Sequence, residues 1–177
     1  MDMKQHLARL IKKLPPLRWG LSLGTRLFGP QNHVGTVGAV FNNQGQVLLV
    51  EHVFRIDYVW GLPGGWVERG EDPSAAIVRE VKEELNVEIE VKKLLFCLPQ
   101  GIEKGSATPA GLCVAFYCRL ADDLNAVPHF AAQAEKSYEV LSVRWFDPYD
   151  ITVRIPPLQQ KALLLAKQEF DREQVSA

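Results

Sequence analysis

Hydrophobic and polar residues alternate with two different periods along this chain, and the change of period separates predicted strands from predicted helices. Apolar runs rich in β-branched and aromatic residues predict five strands, at residues 34–41, 46–52, 87–98, 111–120 and 140–146. The first two runs flank the sequence NNQG, a strong turn signal, so we expect them to form a β-hairpin. The paired glycines of the later segment GLPGGWV predict tight backbone geometry.

A period near 3.6 residues predicts two helices in the body of the chain. The first follows Asp72 and Pro73, which suit an N-cap and a first helical position, and it should run to about Leu85. Asn86 can then take the left-handed conformation that often ends a helix. The second helix covers residues 158–170, directly after a pair of prolines.

The N-terminal region has a pattern of its own. Residues 1–14 place leucines and an isoleucine on one face and basic residues elsewhere, which predicts a short amphipathic helix that ends before two prolines. The connection that follows is glycine-rich and irregular, so we divide the chain into residues 1–33 and a domain at residues 34–177. Residues 122–137 are predicted to be a loop. Strands that surround two helices predict an α+β fold, with a mixed sheet packed between helical layers.

The central helix has two chemically distinct faces. Its apolar face should pack on the sheet and consists of Ile77, Val78, Val81 and Leu85. The other face carries Glu80, Glu83 and Glu84, which are close neighbours because they are three and four residues apart. Arg79 can reach Glu83. These acids would either form a solvated face or bind a hard divalent cation such as Mg²⁺.

Composition narrows the class of protein. The 177 residues are 47% hydrophobic and 23% charged, as expected for a globular domain, and the net charge of −1 gives no broad field that would attract duplex nucleic acid. No apolar run reaches the roughly 18 residues that a membrane span needs. The three cysteines, Cys97, Cys113 and Cys118, lack the spacing of a zinc site and are predicted to be buried free thiols. We therefore expect a cytoplasmic protein.

The segment from Gly65 to Val87 decides between the two interpretations of the acids. It contains a glycine, five residues, Glu71, seven residues, and then Arg79-Glu80-Val81-Lys82-Glu83-Glu84-Leu85-Asn86-Val87. This spacing resembles the Nudix box, the signature of the Nudix hydrolase family. One position differs, because Asn86 replaces the usual glycine, and asparagine tolerates a positive φ better than most residues. The preceding LPGG and hairpin also fit, so the resemblance covers about residues 34–150.

The resemblance implies a Nudix-type α/β/α sandwich and a metal-dependent pyrophosphohydrolase. Such enzymes use Mg²⁺ or Mn²⁺ to cleave a nucleoside diphosphate linked to another group, by attack of a metal-activated water. By position, Glu80 and Glu84 would be the main metal ligands. Glu83 would be a further ligand or would position the water, and the carbonyl of Gly65 would also bind metal. Glu71 and Arg79 would form a salt bridge that orients these groups.

Several roles stay open at the level of sequence. The general base is Glu83 or a glutamate outside the box, for which Glu139 is the first candidate and Glu135 the second. Arg55 could contact a phosphate or be a surface arginine. Trp60 could stack on a base or belong to the core. His33 and His52 lie at strand ends and are interpreted as structural.

Two other functions compete with hydrolysis. A Nudix-fold sensor would bind its ligand without cleaving it, but such modules typically lose box carboxylates, and all three are present here. An isoprenoid diphosphate isomerase would need a catalytic cysteine, for which Cys97 gives only weak support. The substrate class could be ADP-ribose, a nucleotide sugar or a (d)NTP, and the leaving group is left open. The N-terminal helix is a candidate surface for a homodimer.

Overall fold

The computed structural model describes residues 33–53, 55, 57–101, 110–121 and 140–176. The predictions for the N-terminal helix and for the loop at 122–137 lie outside these residues, and the division of the chain near residue 33 stays a prediction. Within the described residues, no helix is long and apolar enough to cross a bilayer.

Seven strands and two helices make up the described part of the chain. In order they are β1 (His33–Phe41), β2 (Val47–His52), β3 (Trp60–Gly61), β4 (Gly64–Trp66), α1 (Pro73–Leu85), β5 (Ile89–Gln100), β6 (Gly111–Leu120), β7 (Val140–Phe146) and α2 (Pro157–Ser176). The five predicted strands and both predicted helices are confirmed, and α2 continues past its predicted end. Strands β3 and β4 were not predicted, because two or three residues are too few to show a period.

The sheet is mixed, with β1 at its centre. The strand order is β3-β2-β1-β6-β5, while β4 pairs with β1 and β7 pairs with β2. Strand β1 runs parallel to β6 from His33↔Gly111 to Phe41↔Arg119, and antiparallel to β2 and β4. The predicted hairpin is present, since Phe41 pairs with Val47 across a turn that contains Gly45 at φ 76°.

Alternate residues of the central strands bury opposite faces of the sheet. One core packs against α1 and includes Val40, Leu48, Val50, Ile77, Val81, Leu85, Val114 and Phe116. The other packs against α2 and includes Ala39, Phe41, Val47, Leu49, Tyr117, Ala162, Leu163 and Ala166. Because neighbouring β1 residues enter different cores, the two helices cover different faces. This arrangement confirms the predicted layers of helix, sheet and helix.

Both ends of α1 are capped as the sequence predicts. The Asp72 side chain accepts a hydrogen bond from the backbone N–H of Ser74 at 2.7 Å, and Pro73 is the first helical residue. Asn86 ends the helix in the left-handed region (φ 54°, ψ 38°), and its N–H donates to the carbonyl of Lys82 at 2.9 Å. The caps fix where α1 begins and ends, and hence where its acidic face lies.

The prediction of three buried thiols is wrong for one of them. Cys113 and Cys118 are buried in β6, and burial raises their pKa values to about 11 and about 12. Cys97 is exposed. Its strand, β5, is the last in the strand order, so the outer part of the sheet has less cover than β6, which lies between two neighbours.

Candidate functional site

The acidic face of α1 meets the backbone of β4. Gly65 lies on β4 opposite Thr36 of β1, and the Thr36 hydroxyl donates to the carbonyl of Pro73 at 3.3 Å, which ties the start of α1 to the sheet. A Cβ added to Gly65 would overlap the carboxylate of Glu80. The Glu80 carboxylate therefore lies directly against the Gly65 backbone, in a position from which a Cβ on residue 65 would displace it.

Arg79 connects the acids around this contact. Its Nε and Nη2 donate to the two oxygens of Glu71 at 2.8 and 3.0 Å, a bidentate pair. Its Nη1 donates to Glu80 at 3.0 Å and to Glu83 at 3.2 Å. Its Nη2 also donates to the carbonyl of Trp66 at 3.0 Å. One guanidinium thus fixes the β4 backbone and three carboxylates relative to one another.

The carboxylates differ in their electrostatic state. Hydrogen bonds from Arg79, and then from the backbone of Glu68, lower the pKa of Glu71 to about 2, so Glu71 is ionised at neutral pH. The same contacts raise the pKa of Arg79. Burial raises the pKa of Glu80, whose side chain is 16% exposed, and Arg79 opposes this rise only in part. A second positive charge beside Glu80 would therefore stabilise its ionised carboxylate.

The donors present fit a hard divalent ion. Carboxylates and a backbone carbonyl are the oxygen ligands that Mg²⁺ and Mn²⁺ take, and Gly65 provides a backbone approach that a Cβ would block. Among the described residues, no three His, Cys, Asp or Glu side chains already converge as a metal-binding cluster. Instead, Glu80 and Glu83 both contact Arg79, and the Glu83 side chain is 63% exposed. The metal-ligand roles of Gly65, Glu80, Glu83 and Glu84 stay predictions.

A second group of polar atoms lies near Glu84. The Nη1 atom of Arg55 is buried and has no hydrogen-bond partner among the described residues. Burial lowers the pKa of Arg55, and the charge of Glu84 opposes that shift, which shows that the two side chains interact electrostatically. Arg55 is thus a partly buried cation within electrostatic range of Glu84, and its contact with a phosphate stays a prediction.

His52 belongs to the same group, although no sequence pattern predicts this. Its Nε2 is buried and also lacks a hydrogen-bond partner among the described residues. Burial, and then the charge of Arg55, lower the pKa of His52 to about 4, so the imidazole is neutral at pH 7. A histidine at a strand end carries no local pattern, so only the fold could bring it to Arg55.

Trp60 belongs to the core that packs against α2. Trp60 is 8% exposed and packs edge-on against Phe146, with ring centroids 5.3 Å apart, while Arg144 lies 5.6 Å from its ring. These contacts correspond to the core alternative for Trp60, and its stacking on a base stays a prediction. Glu139 and Glu135 lie outside the described residues.

Comparison with known proteins shows which sequences this chain is similar to. A family model for the NUDIX domain matches residues 31–169. The chain is 34% identical over 125 residues to nucleoside diphosphate-linked moiety X motif 6 of Xenopus laevis, and 33% identical over 125 residues to a putative ADP-ribose pyrophosphatase of Bacillus subtilis. Each match covers 70% of this chain, but 54% and 52% of the two relatives, so the chain spans about half their length.

Solved structures show the same fold. The structure of a UDP-X diphosphatase matches with a TM-score of 0.63 at 19% identity, over 96% of this chain and 80% of the other. An ADP-ribose pyrophosphatase from Streptococcus suis matches with a TM-score of 0.58 at 23% identity, over 79% of this chain and 92% of the other.

Proposed function

This chain belongs to the Nudix hydrolase family, and we propose that it is a metal-dependent pyrophosphohydrolase that cleaves a nucleoside diphosphate linked to another group. The family model matches more than half of the chain, which confirms the predicted family. The observation that best supports the activity is the contact of the Glu80 carboxylate with the Gly65 backbone, beside the other acids of α1.

In this proposal the acids of α1 hold Mg²⁺ or Mn²⁺. Glu80 and Glu84 are the main ligands, and the carbonyl of Gly65 is a further one, while Glu83 either joins them or positions the water. When bound, the ion supplies Lewis-acid activation of water and neutralises charge on the phosphate oxygens. Glu71 remains paired with Arg79, because its low pKa keeps it ionised. The pair holds Glu80 and Glu83 in place without itself binding metal.

Arg55 contacts a phosphate of the substrate in this proposal. A partly buried guanidinium whose buried Nη1 atom lacks a partner is costly, and a phosphate oxygen would provide both a countercharge and an acceptor. Arg55 is also within electrostatic range of Glu84, which supports a phosphate site close to the acids of α1.

Glu83 is the proposed general base among the described residues. Its carboxylate is the most exposed of the three acids whose contacts with Arg79 are given above, so a water molecule can reach it. A base must lie within hydrogen-bond reach of the water it deprotonates. Glu139 remains the second candidate for this role.

Turnover of a substrate panel tests the function. Purified protein with Mg²⁺ or Mn²⁺ is offered ADP-ribose, nucleotide sugars, dinucleoside polyphosphates and (oxidised) dNTPs, and phosphate-containing products are separated by chromatography. ADP-ribose comes first because one relative is described as a putative ADP-ribose pyrophosphatase. We expect turnover that EDTA abolishes and that Glu84→Gln reduces by at least 100-fold. Tight binding of a nucleotide without any turnover would instead support the sensor.

A further inference from the structure

The buried glutamine of helix α2 occupies an unusual position. Gln159 is 7% exposed, and its Oε1 accepts a hydrogen bond at 2.8 Å from the backbone N–H of Leu62, which is 97 residues away in the chain. Leu62 lies between β3 and β4, the strands that lead to Gly65. The C-terminal helix therefore reaches the segment that carries the proposed metal-binding carbonyl.

The same glutamine oxygen and the side chain of Arg55 both lie beside Gly61. A Cβ added to Gly61 would lie 2.5 Å from Nη1 of Arg55 and 2.6 Å from Oε1 of Gln159. Both atoms thus line the space that a side chain at position 61 would fill. Because Gly61 has no side chain, the guanidinium of Arg55 can occupy this space, and the Gln159 oxygen lies at its edge.

The chemistry of the amide matters here. A carboxylate at position 159 could also accept from Leu62, but it would pair with Arg55 and neutralise the charge that an anion needs. An apolar residue would leave the Leu62 N–H without its acceptor in a buried environment. A neutral amide provides the acceptor and leaves the Arg55 charge available.

We propose that Gln159 is a positioning residue: it fixes the Leu62 backbone beside Arg55 with a neutral acceptor, and so leaves the Arg55 charge available for the phosphates of the substrate. This inference rests on the proposed function, because it assumes that Arg55 contacts phosphate. It adds helix α2 to the active site, and it assigns Gln159 a role in substrate affinity rather than in the bond-breaking step.

Inorganic pyrophosphate tests the inference without turnover. Its dissociation constant is measured by calorimetry in EDTA for the wild type, Gln159→Glu, Arg55→Gln and the double variant. We expect Gln159→Glu to weaken binding about 10-fold and Arg55→Gln to weaken it at least as much. In the double variant, Gln159→Glu should add less than about twofold, because it acts through Arg55.

The control is Gln168→Glu, an exposed glutamine on the same helix that introduces the same charge. It should bind pyrophosphate as the wild type does. If Gln159→Glu does not fold, Gly61→Ala is a second route, because its methyl group enters the space beside Arg55 and both neighbours are ends of flexible side chains. It should also weaken pyrophosphate binding.

Kinetics separate positioning from a general structural defect. With ADP-ribose and Mg²⁺, Gln159→Glu should raise KM about 10-fold and change kcat less than threefold. If the wild type turns over no nucleotide, the proposed function fails, and the pyrophosphate measurement still tests Gln159. The inference is overturned if the wild type does not bind pyrophosphate, if Gln159→Glu behaves like Gln168→Glu, or if the effects of Gln159→Glu and Arg55→Gln are additive.

Discussion

The carboxylate of Glu80 lies where the side chain of residue 65 would be. This contact joins the first acid of α1 to the backbone of β4, and it explains in steric terms why position 65 is a glycine. The spacing of 15 residues between them has a physical meaning, because it allows β4 to end, the Asp72 cap to form, and α1 to bring Glu80 back to β4.

Gly65→Ala should therefore disrupt the proposed metal site while the fold is retained. The added methyl group would displace the Glu80 carboxylate, and we expect Mn²⁺ affinity and kcat/KM to fall at least 100-fold. Mn²⁺ binding is measured by electron paramagnetic resonance, which does not depend on the substrate.

Gly38→Ala is the matched control. Its methyl group would lie 2.9 Å from Ile77 in the core, so it should cost about 1–3 kcal/mol of stability and leave Mn²⁺ affinity unchanged. Equal Mn²⁺ affinities of Gly65→Ala and the wild type would contradict the assignment.

Removing the charge of Glu71 should loosen the site without removing a ligand. In Glu71→Gln, Arg79 loses its bidentate partner and is freer to pair with Glu80 and Glu83. Residues that orient metal ligands typically contribute 10–100-fold to affinity or activity, so we expect losses in that range for Mn²⁺ affinity and kcat. Glu88→Gln removes one partner of the exposed Lys82–Glu88 pair near the end of the same helix, and it should change both quantities less than twofold. A similar effect of the two substitutions would show that Glu71 acts only through net charge.

The sequence predicts the part of the site that lies on one continuous segment. The Asp72 cap, the faces of α1 and the end at Asn86 all follow from local spacing, because a helix converts sequence intervals into positions on its surface. The acids and Arg79 share this segment with Gly65 and Glu71, so the resemblance to the Nudix family could be recognised from residues alone.

The other part of the site depends on contacts between distant segments. Gln159 accepts its hydrogen bond from Leu62 only after α2 has packed on the sheet. Arg55 likewise lies beside Gly61 only in the folded protein. No local period marks a buried glutamine or a strand-end histidine. The prediction for Cys97 was wrong for the same reason, because burial in a sheet depends on distant segments. Apolar neighbours in the sequence predict burial, but they do not show which part of the sheet remains exposed.

The end of α1 provides a test of backbone conformation. Among the described residues, Asn86 is the one non-glycine residue with a positive φ, and it replaces the glycine that is usual in the box. Asn86→Ala should destabilise the protein by about 1 kcal/mol, because an alanine Cβ is strained in the left-handed region. Asn86→Gly should be neutral or stabilising by up to about 1 kcal/mol. Urea unfolding at neutral pH measures both changes. A stable Asn86→Ala variant would mean that the helix ends in another conformation.

His52 makes a prediction about acid stability. Burial lowers its folded-state pKa from 6.5 to about 4, so between these values the unfolded chain takes up a proton that the folded protein does not. The contribution of His52 to stability is therefore intact above pH 6.5 and declines as the pH falls towards 4. Each pKa unit corresponds to 1.36 kcal/mol, which gives a maximum effect of about 3 kcal/mol.

His52→Gln removes the titration, so the free energy of unfolding of the wild type should fall relative to this variant between pH 6.5 and pH 4. Urea unfolding of both proteins across this range measures the difference. Parallel pH profiles would show that His52 is protonated as readily in the folded protein as in the unfolded chain, and that Arg55 does not lie beside a neutral imidazole.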